Sequence, residues 1–250
     1  MRTLATFVVL LFATIFFGTA VILADLIGMK KGPGTLFDRY PRAWADALLR
    51  AAGVKVVVHD PERMHSERPL VFAANHVSWF DVLAMASVLP HYSFIAKSEL
   101  FRIPIFGRGA RAVGTIPIDR NNRKSAFASY EEAAEKVKGG ACIVVYPEGT
   151  RGRGYQLRPF KKGPFVLAIA ANAPVVPTLV HGTIEILGRG SFNVKPGTVH
   201  VHLLEPVDPS GMTYDDRDRL ASTVRDRMAA ELERLYGVKS LPGEAERRIA

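Results

Sequence analysis

From Leu4 to Leu23 the chain runs for 20 residues without a charge, its apolarity broken only by Thr6, Thr14, Gly18 and Thr19. Coiled as a helix, such a run is about 30 Å long, the thickness of a bilayer's hydrocarbon core. The remainder must then fold as a domain held to a membrane at one end. Arg2 precedes the run, and Asp25, Lys30 and Lys31 follow it. The run is long for a signal peptide, and no small-x-small cleavage pattern precedes Asp25, so a retained anchor is expected. The charge balance of 33 − 24 = +9 favours anionic partners such as nucleic acid, acidic headgroups or phosphorylated substrates. Beside an anchor, that partner is a membrane with anionic lipids. With 48% hydrophobic and 23% charged residues, a disordered chain is excluded. The single cysteine, Cys142, rules out an intramolecular disulfide, and its apolar neighbours point to a buried structural thiol.

After a hinge at Gly32-Pro-Gly34, Pro41–Ala52 reads as a short helix, with Pro41 in its first turn and Trp44, Leu48 and Ala51 as its apolar stripe. Beside an anchor it is expected to lie at the membrane interface. Short β-rich runs follow at Val56–Val58, Leu70–Ala73, Phe94–Ala96, Val113–Ile118, Cys142–Tyr146, Val175–Val180 and Val199–Leu204. Helical stretches at Asp81–Leu89, Lys124–Lys138 and Phe165–Ala171 lie between several of them. The alternation predicts an α/β fold, a mixed sheet flanked by helices behind an N-terminal membrane helix. Thr213 and Asp216 form a capping box for a last helix carrying Leu220, Val224, Met228 and Leu232, which Gly237 stops. The expected organisation is an anchor at 1–31, an interfacial helix and linker at 32–54, the main domain at 55–239 and a tail at 240–250.

Two segments carry candidate chemistry. In the first, an apolar strand from Leu70 ends at Asn75 and a helix begins near Ser78, so His76 sits in the turn between them, where α/β sheets bind ligands. His76 and Asp81 are five residues apart, which in a continuous helix leaves them on different faces. A bend can instead turn the Asp81 carboxylate onto the imidazole, fixing its tautomer and freeing the other nitrogen to take a proton from an alcohol. Ser78 and Asp81 equally fit a plain capping box. In the second, Tyr146-Pro-Glu-Gly-Thr-Arg151 also follows an apolar strand. Its glycines let backbone approach an anion, and Arg151 and Arg153 supply charged donors, with Arg158, Lys161 and Lys162 beyond. Glu148 is out of place in a simple anion cradle and implies a site needing one acid. There is no G-x-S-x-G elbow and no P-loop, and Gly107-Arg-Gly109 and Gly152-Arg-Gly154 lack the third glycine of a dinucleotide fingerprint. His200 and His202 share a strand face, but no cysteine is near and Glu205 falls on the other face, so no metal is expected. No nucleic-acid motif is present, and no nucleic-acid partner is expected.

Taken together, these residues resemble the 1-acylglycerol-3-phosphate acyltransferases within the glycerolipid acyltransferases. The blocks are Asn75, His76 and Asp81 with Ser78; Lys97-Ser-Glu-Leu100 with Pro104 and Gly107; Gly114-Thr-Ile-Pro-Ile-Asp-Arg120; Tyr146 to Arg151, with Tyr146 in place of phenylalanine; Phe160-Lys-Lys-Gly163; and Val175-Val-Pro177. The resemblance implies direct transfer without an acyl-enzyme, with His76 as base and Asp81 orienting it. It further implies that Lys97, Arg120 and Arg151 bind the acceptor phosphate and that Glu148, Gly149 and Thr150 shape the acceptor pocket. The implied partners are a lysophospholipid acceptor and an acyl donor, either acyl-CoA or acyl carrier protein, with no cofactor. The implied location is the cell inner membrane, the catalytic domain facing the cytoplasm. The same blocks also serve relatives acting on other lysolipids, such as lyso-ornithine lipid, and a non-catalytic lipid-binding membrane protein is the remaining alternative.

Overall fold

A computed structural model describes residues 2–119 and 121–240. Two helices, α1 (Arg2–Leu26) and α2 (Leu36–Ala52), lead into a seven-stranded sheet. The strands are β1 (Val54–His59), β2 (Val71–Ala74), β3 (Tyr92–Lys97), β4 (Ile116–Ile118), β5 (Cys142–Val145), β6 (Val175–His181) and β7 (Gly197–Leu203). Their order is β1-β7-β6-β2-β5-β3-β4, and every pairing is parallel except β6 with β7. The helices between them are α3 (Trp79–Val88), α4 (Phe106–Ala112), α5 (Arg123–Lys138), α6 (Gly163–Ala170), α7 (Thr183–Ile186) and α8 (Arg217–Tyr236).

The central strands β2 and β5 are apolar at every position, and β6 nearly so, because both faces are covered. Phe72 and Ala74 of β2 point into a core shared with Val144, Val176 and residues Leu48 and Leu49 of α2 and Leu83 and Met85 of α3. Val71 and Ala73 point the other way, into a core with Ile143, Val175 and residues of α5, α6 and α8, among them Val137, Phe165 and Met228. The parallel register places the carboxyl ends of β2 and β5 side by side, Ala73 opposite Val145, with β6 on the other flank of β2. The turns leaving these three strands therefore meet at one edge of the sheet.

Three expectations are corrected. The helix expected from Pro41 begins at Leu36, with Thr35 as its N-cap and the N–H of Gly34 held by the Asp38 carboxylate at 2.9 Å. Pro41 lies inside it, in the second turn, where it removes one intrahelical donor. The strand expected from Val113 begins at Ile116, because Gly114 (φ +91°) sits in the left-handed region and closes α4. The helix expected at the interface packs its inner side into the core through Ala45, Leu48, Leu49 and Ala52, and its outer side carries α1.

Helix α1 lies along the domain for most of its length. The guanidinium of Arg2 donates to Ala52 O at 3.2 Å, Trp44 Nε1 donates to Thr14 at 3.0 Å, and Phe17 meets Tyr40 edge-on at 5.3 Å. Further along, Gly18 and Gly109 bring α1 and α4 together: a Cβ on Gly109 would stand 3.3 Å from Gly18 Cα. Gly109 belongs to the Gly107-Arg-Gly109 run that imitates half a dinucleotide fingerprint; its use is close helix packing. The small residues Thr6, Ala13, Val21 and Ala24 face the domain. Leu4, Phe7, Val8, Leu11, Phe12, Ile15, Phe16 and Leu23 face outward and are exposed, and Phe192, 77% exposed, extends this surface beside Phe7. The helix is long and apolar enough to cross a membrane.

Candidate active site

Helix α3 starts because Ser78 caps it: Ser78 Oγ accepts the N–H of Phe80 at 3.2 Å. The reciprocal half of the capping box is Asp81, whose Oδ2 accepts the N–H of Ser78 at 2.8 Å and of Val77 at 2.6 Å. The same oxygen stands 2.9 Å from Nδ1 of His76. One carboxylate thus caps the helix and meets the imidazole, so the two arrangements of Asp81 left open by the sequence coexist in the structure. The other oxygen, Oδ1, accepts the hydroxyl of Thr183 at 2.5 Å. Asp81 is fully buried, and these four contacts fix its carboxylate in direction. With Nδ1 committed as donor, Nε2 of His76 is left as the acceptor, and the side chain is 12% exposed. The imidazole lies on the Tyr146 ring at 4.2 Å, which limits its tilt.

The backbone around His76 is equally tied. Asn75 grips Val180 of β6, accepting its N–H at 2.7 Å and donating to its carbonyl at 3.0 Å. Glu148 accepts the His76 N–H at 2.9 Å with one oxygen and the Arg158 N–H at 3.3 Å with the other. The Gly152 N–H donates to His76 O at 2.7 Å, an approach that leaves a Cβ at position 152 only 3.0 Å from Gly154 O. Glu148 is 3% exposed, and burial pushes its carboxyl up to about 7 in spite of the two amide donors. Its place is under the two loops, where it holds the backbones of His76 and Arg158 in register.

The other expected site residues are distributed as follows. Gly149 makes the turn after Pro147 with φ +76°, and Thr150 is exposed beside it. Arg151 stacks its guanidinium over the exposed Trp79 at 4.9 Å, at the start of α3. Lys97 ends β3 and pairs with Glu99 at 2.8 Å. Arg120 lies outside the described residues.

Two residues of this region were not anticipated. Thr183 reaches Asp81 because the Tyr155 hydroxyl, which accepts the N–H groups of Gly182 and Ile184, holds the turn after β6. Arg189 donates to Arg151 O at 2.9 Å, bringing a second guanidinium near the first. Burial, and then Arg189, lower the pKa of Arg151. Among the described residues neither arginine has an ion-pair partner, so the two cations leave room for an anion. Arg189 sits in Gly188-Arg-Gly190, the third Gly-Arg-Gly in the chain, a signal that pointed to it.

A model of the family described as Acyltransferase matches residues 55–181. The chain belongs to the acyltransferase family. The match begins in β1 and ends with β6, so it contains His76, Asp81, Lys97, Glu148 and Arg151, while Thr183 and Arg189 lie beyond it. Among curated relatives of this acyltransferase is the 1-acyl-sn-glycerol-3-phosphate acyltransferase of Salmonella typhimurium, 33% identical over 77% of this chain and 80% of that protein. The chloroplastic 1-acyl-sn-glycerol-3-phosphate acyltransferase BAT2 of Brassica napus is 32% identical over 79% of this chain, which spans 58% of the plant protein's length. The crystal structure of the 1-acyl-sn-glycerophosphate (LPA) acyltransferase PlsC from Thermotoga maritima superposes with a TM-score of 0.75 at 25% identity, covering 96% of this chain and all of that one. The mixed α/β sheet expected from the sequence is the fold of this acyltransferase.

Proposed function

We infer that this acyltransferase moves a fatty acyl chain from a thioester donor to the free hydroxyl of 1-acylglycerol-3-phosphate, giving phosphatidic acid. The observation that carries the reading is the His76–Asp81 pair at 2.9 Å, with Asp81 held by three further donors and Nε2 of His76 free to act. Nε2 takes the acceptor's hydroxyl proton as that oxygen attacks the thioester carbon. The new C–O bond forms, the C–S bond breaks, and the imidazolium returns the proton to the departing thiolate. Asp81 stabilises the imidazolium in between. No side chain is acylated, which agrees with the lack of a nucleophile elbow; Cys142 is held inert, burial raising its pKa. Arg151, Lys97 and Arg120 bind the acceptor phosphate in this reading, and the guanidinium of Arg189 beside Arg151 supports it. The donor is acyl-CoA or acyl carrier protein, and no cofactor takes part.

Helix α1 supports a membrane-bound reading with the site at headgroup level. It is docked lengthwise on the domain, so its large outward side chains enter one leaflet while the domain stays in water. Anionic lipid is favoured by the +9 balance, and Lys30, Lys31, Arg39 and Arg42 set the domain on the cytoplasmic side of the inner membrane.

The test is a panel of lysolipids that differ in headgroup, offered to the purified enzyme with each donor type and read by mass. Phosphatidic acid formed in preference to other products is expected. Faster acylation of a lysolipid without a terminal phosphate, such as lyso-ornithine lipid, overturns the acceptor assignment, and no acylation of any lysolipid by folded enzyme overturns the reaction.

A further inference from the structure

The sequence argued against a metal because His200 and His202 lacked a third ligand nearby. The fold supplies one. In the pairing of β1 with β7, His59 stands opposite His202, and His200 is two residues back on the same face of the sheet. One ring nitrogen from each of the three lies within 4.8 Å of those of the other two. Nε2 of His59 and Nδ1 of His200 are 3.0 Å apart. Two imidazoles bound to one tetrahedral zinc at about 2.0–2.1 Å place their nitrogens roughly 3.3 Å apart, so this pair already has the required spacing. Nε2 of His202 lies 2.6 Å from the Tyr236 hydroxyl at the end of α8. A hydrogen bond on the second ring nitrogen is what ordinarily fixes a metal-ligating histidine.

We propose that His59, His200 and His202 form a site for a divalent transition ion of the zinc class, which pins edge strand β1 to β7. Three imidazoles suit zinc, copper or nickel and not magnesium or calcium, which take oxygen ligands. The fourth position is left to solvent. The His59 and His202 rings stack at 4.0 Å with 7° between their planes, so their lone pairs run parallel. Capturing one ion turns one of these rings about its Cβ–Cγ bond until the lone pairs converge. That rotation falls to the half-buried His59, since His202 is buried and held by Tyr236. The site lies on strands β1 and β7, whereas His76 leaves β2, with β6 between, so the ion has no part in acyl transfer. Its consequence is mechanical: among the described residues β1 pairs only with β7, and it is the strand through which α1 and α2 join the sheet.

The experiment uses the full chain in detergent, stripped with a chelator and titrated with Co²⁺ and then Zn²⁺. One equivalent of Co²⁺ giving the visible bands of a tetrahedral nitrogen site, displaced by Zn²⁺, is expected, with a melting temperature that rises with Zn²⁺ concentration. The His59→Ala/His200→Ala variant should lose the bands and the rise while keeping its acyl-transfer rate. His59→Gln, a gentler change, should weaken cobalt binding at least tenfold, and serves if the double variant does not fold. Absence of saturable one-equivalent binding overturns the proposal, as does undiminished binding in either variant.

Discussion

Asp81 joins the start of a helix to the acid–base pair through a single oxygen, and substitutions there separate from those at His76 in a way that can be measured. His76→Ala should abolish nearly all turnover while leaving the melting temperature close to that of the parent, since the imidazole caps nothing. Asp81→Asn should cost less turnover, on the order of 10²–10⁴, because a wrong tautomer still leaves a base. It should cost more stability, about 1–3 kcal/mol, because an amide nitrogen must face N–H donors of the cap. Full activity in folded His76→Ala protein would contradict the mechanism. Glu148 gives a second prediction at this scale. Its folded pKa of about 7 lies above the ordinary 4.5, so its contribution to stability is fullest below about pH 4.5 and is lost as pH rises to about 7. That difference corresponds to about 3 kcal/mol across the window. Glu148→Gln should flatten stability against pH over this range, as followed by urea unfolding; an unchanged slope would show that the carboxyl titrates normally. The sequence singled out both residues, but not what Glu148 binds: its partners are backbone amides at His76 and Arg158, and a backbone donor leaves no trace in residue identity.

Among the elements, those that read most clearly in the sequence are the ones whose physics is local. Strands appear as short apolar runs, and all seven were visible; the capping box at Ser78 marked the start of α3, and the one at Thr213 opens a 3₁₀ turn that runs into α8 at Arg217. The start of α2 was hidden because a proline in a helix ordinarily marks its first turn, and here Pro41 does not. What could not be read was which turns meet. Thr183 and Arg189 follow β6, more than 100 residues after His76, and meet Asp81 and Arg151 respectively because β6 pairs with β2 and β2 with β5 in the sheet order. The pairing of loops after β5 and β6 carries a prediction. Arg151→Ala and Arg189→Ala should each weaken acceptor binding by about 1.5–3 kcal/mol, roughly 10- to 150-fold in the acceptor's KM, with little change for the donor. Kinetics with varied lysolipid at fixed donor tests it, and an effect confined to the donor would place the phosphate elsewhere.

At the scale of the whole molecule, the apolar run was plain from its length, but its orientation was not, because only the packed structure shows which side of α1 is covered. Removing residues 1–31 would strip the cover from Trp44 and Gly109, so substitutions on the outward side are the cleaner probe. The intact enzyme should resist extraction by salt and require detergent. Leu11→Gln, Phe12→Gln and Phe16→Gln together remove burial worth of order 5 kcal/mol, and should leave a folded protein held mainly by charge and released as salt rises. Release of the parent by salt alone would show that α1 is no anchor. The glycine contact between α1 and α4 has one more consequence. On the proposed one-leaflet seating, a helix held to the catalytic body at Gly18 and Gly109 cannot swing free, and the enzyme stays on the surface between turnovers. Lysolipid then arrives, and product departs, by sliding sideways in the leaflet. The quantity that saturates such a catalyst is the mole fraction of lysolipid in the sheet of lipid around it, not the amount per volume of suspension.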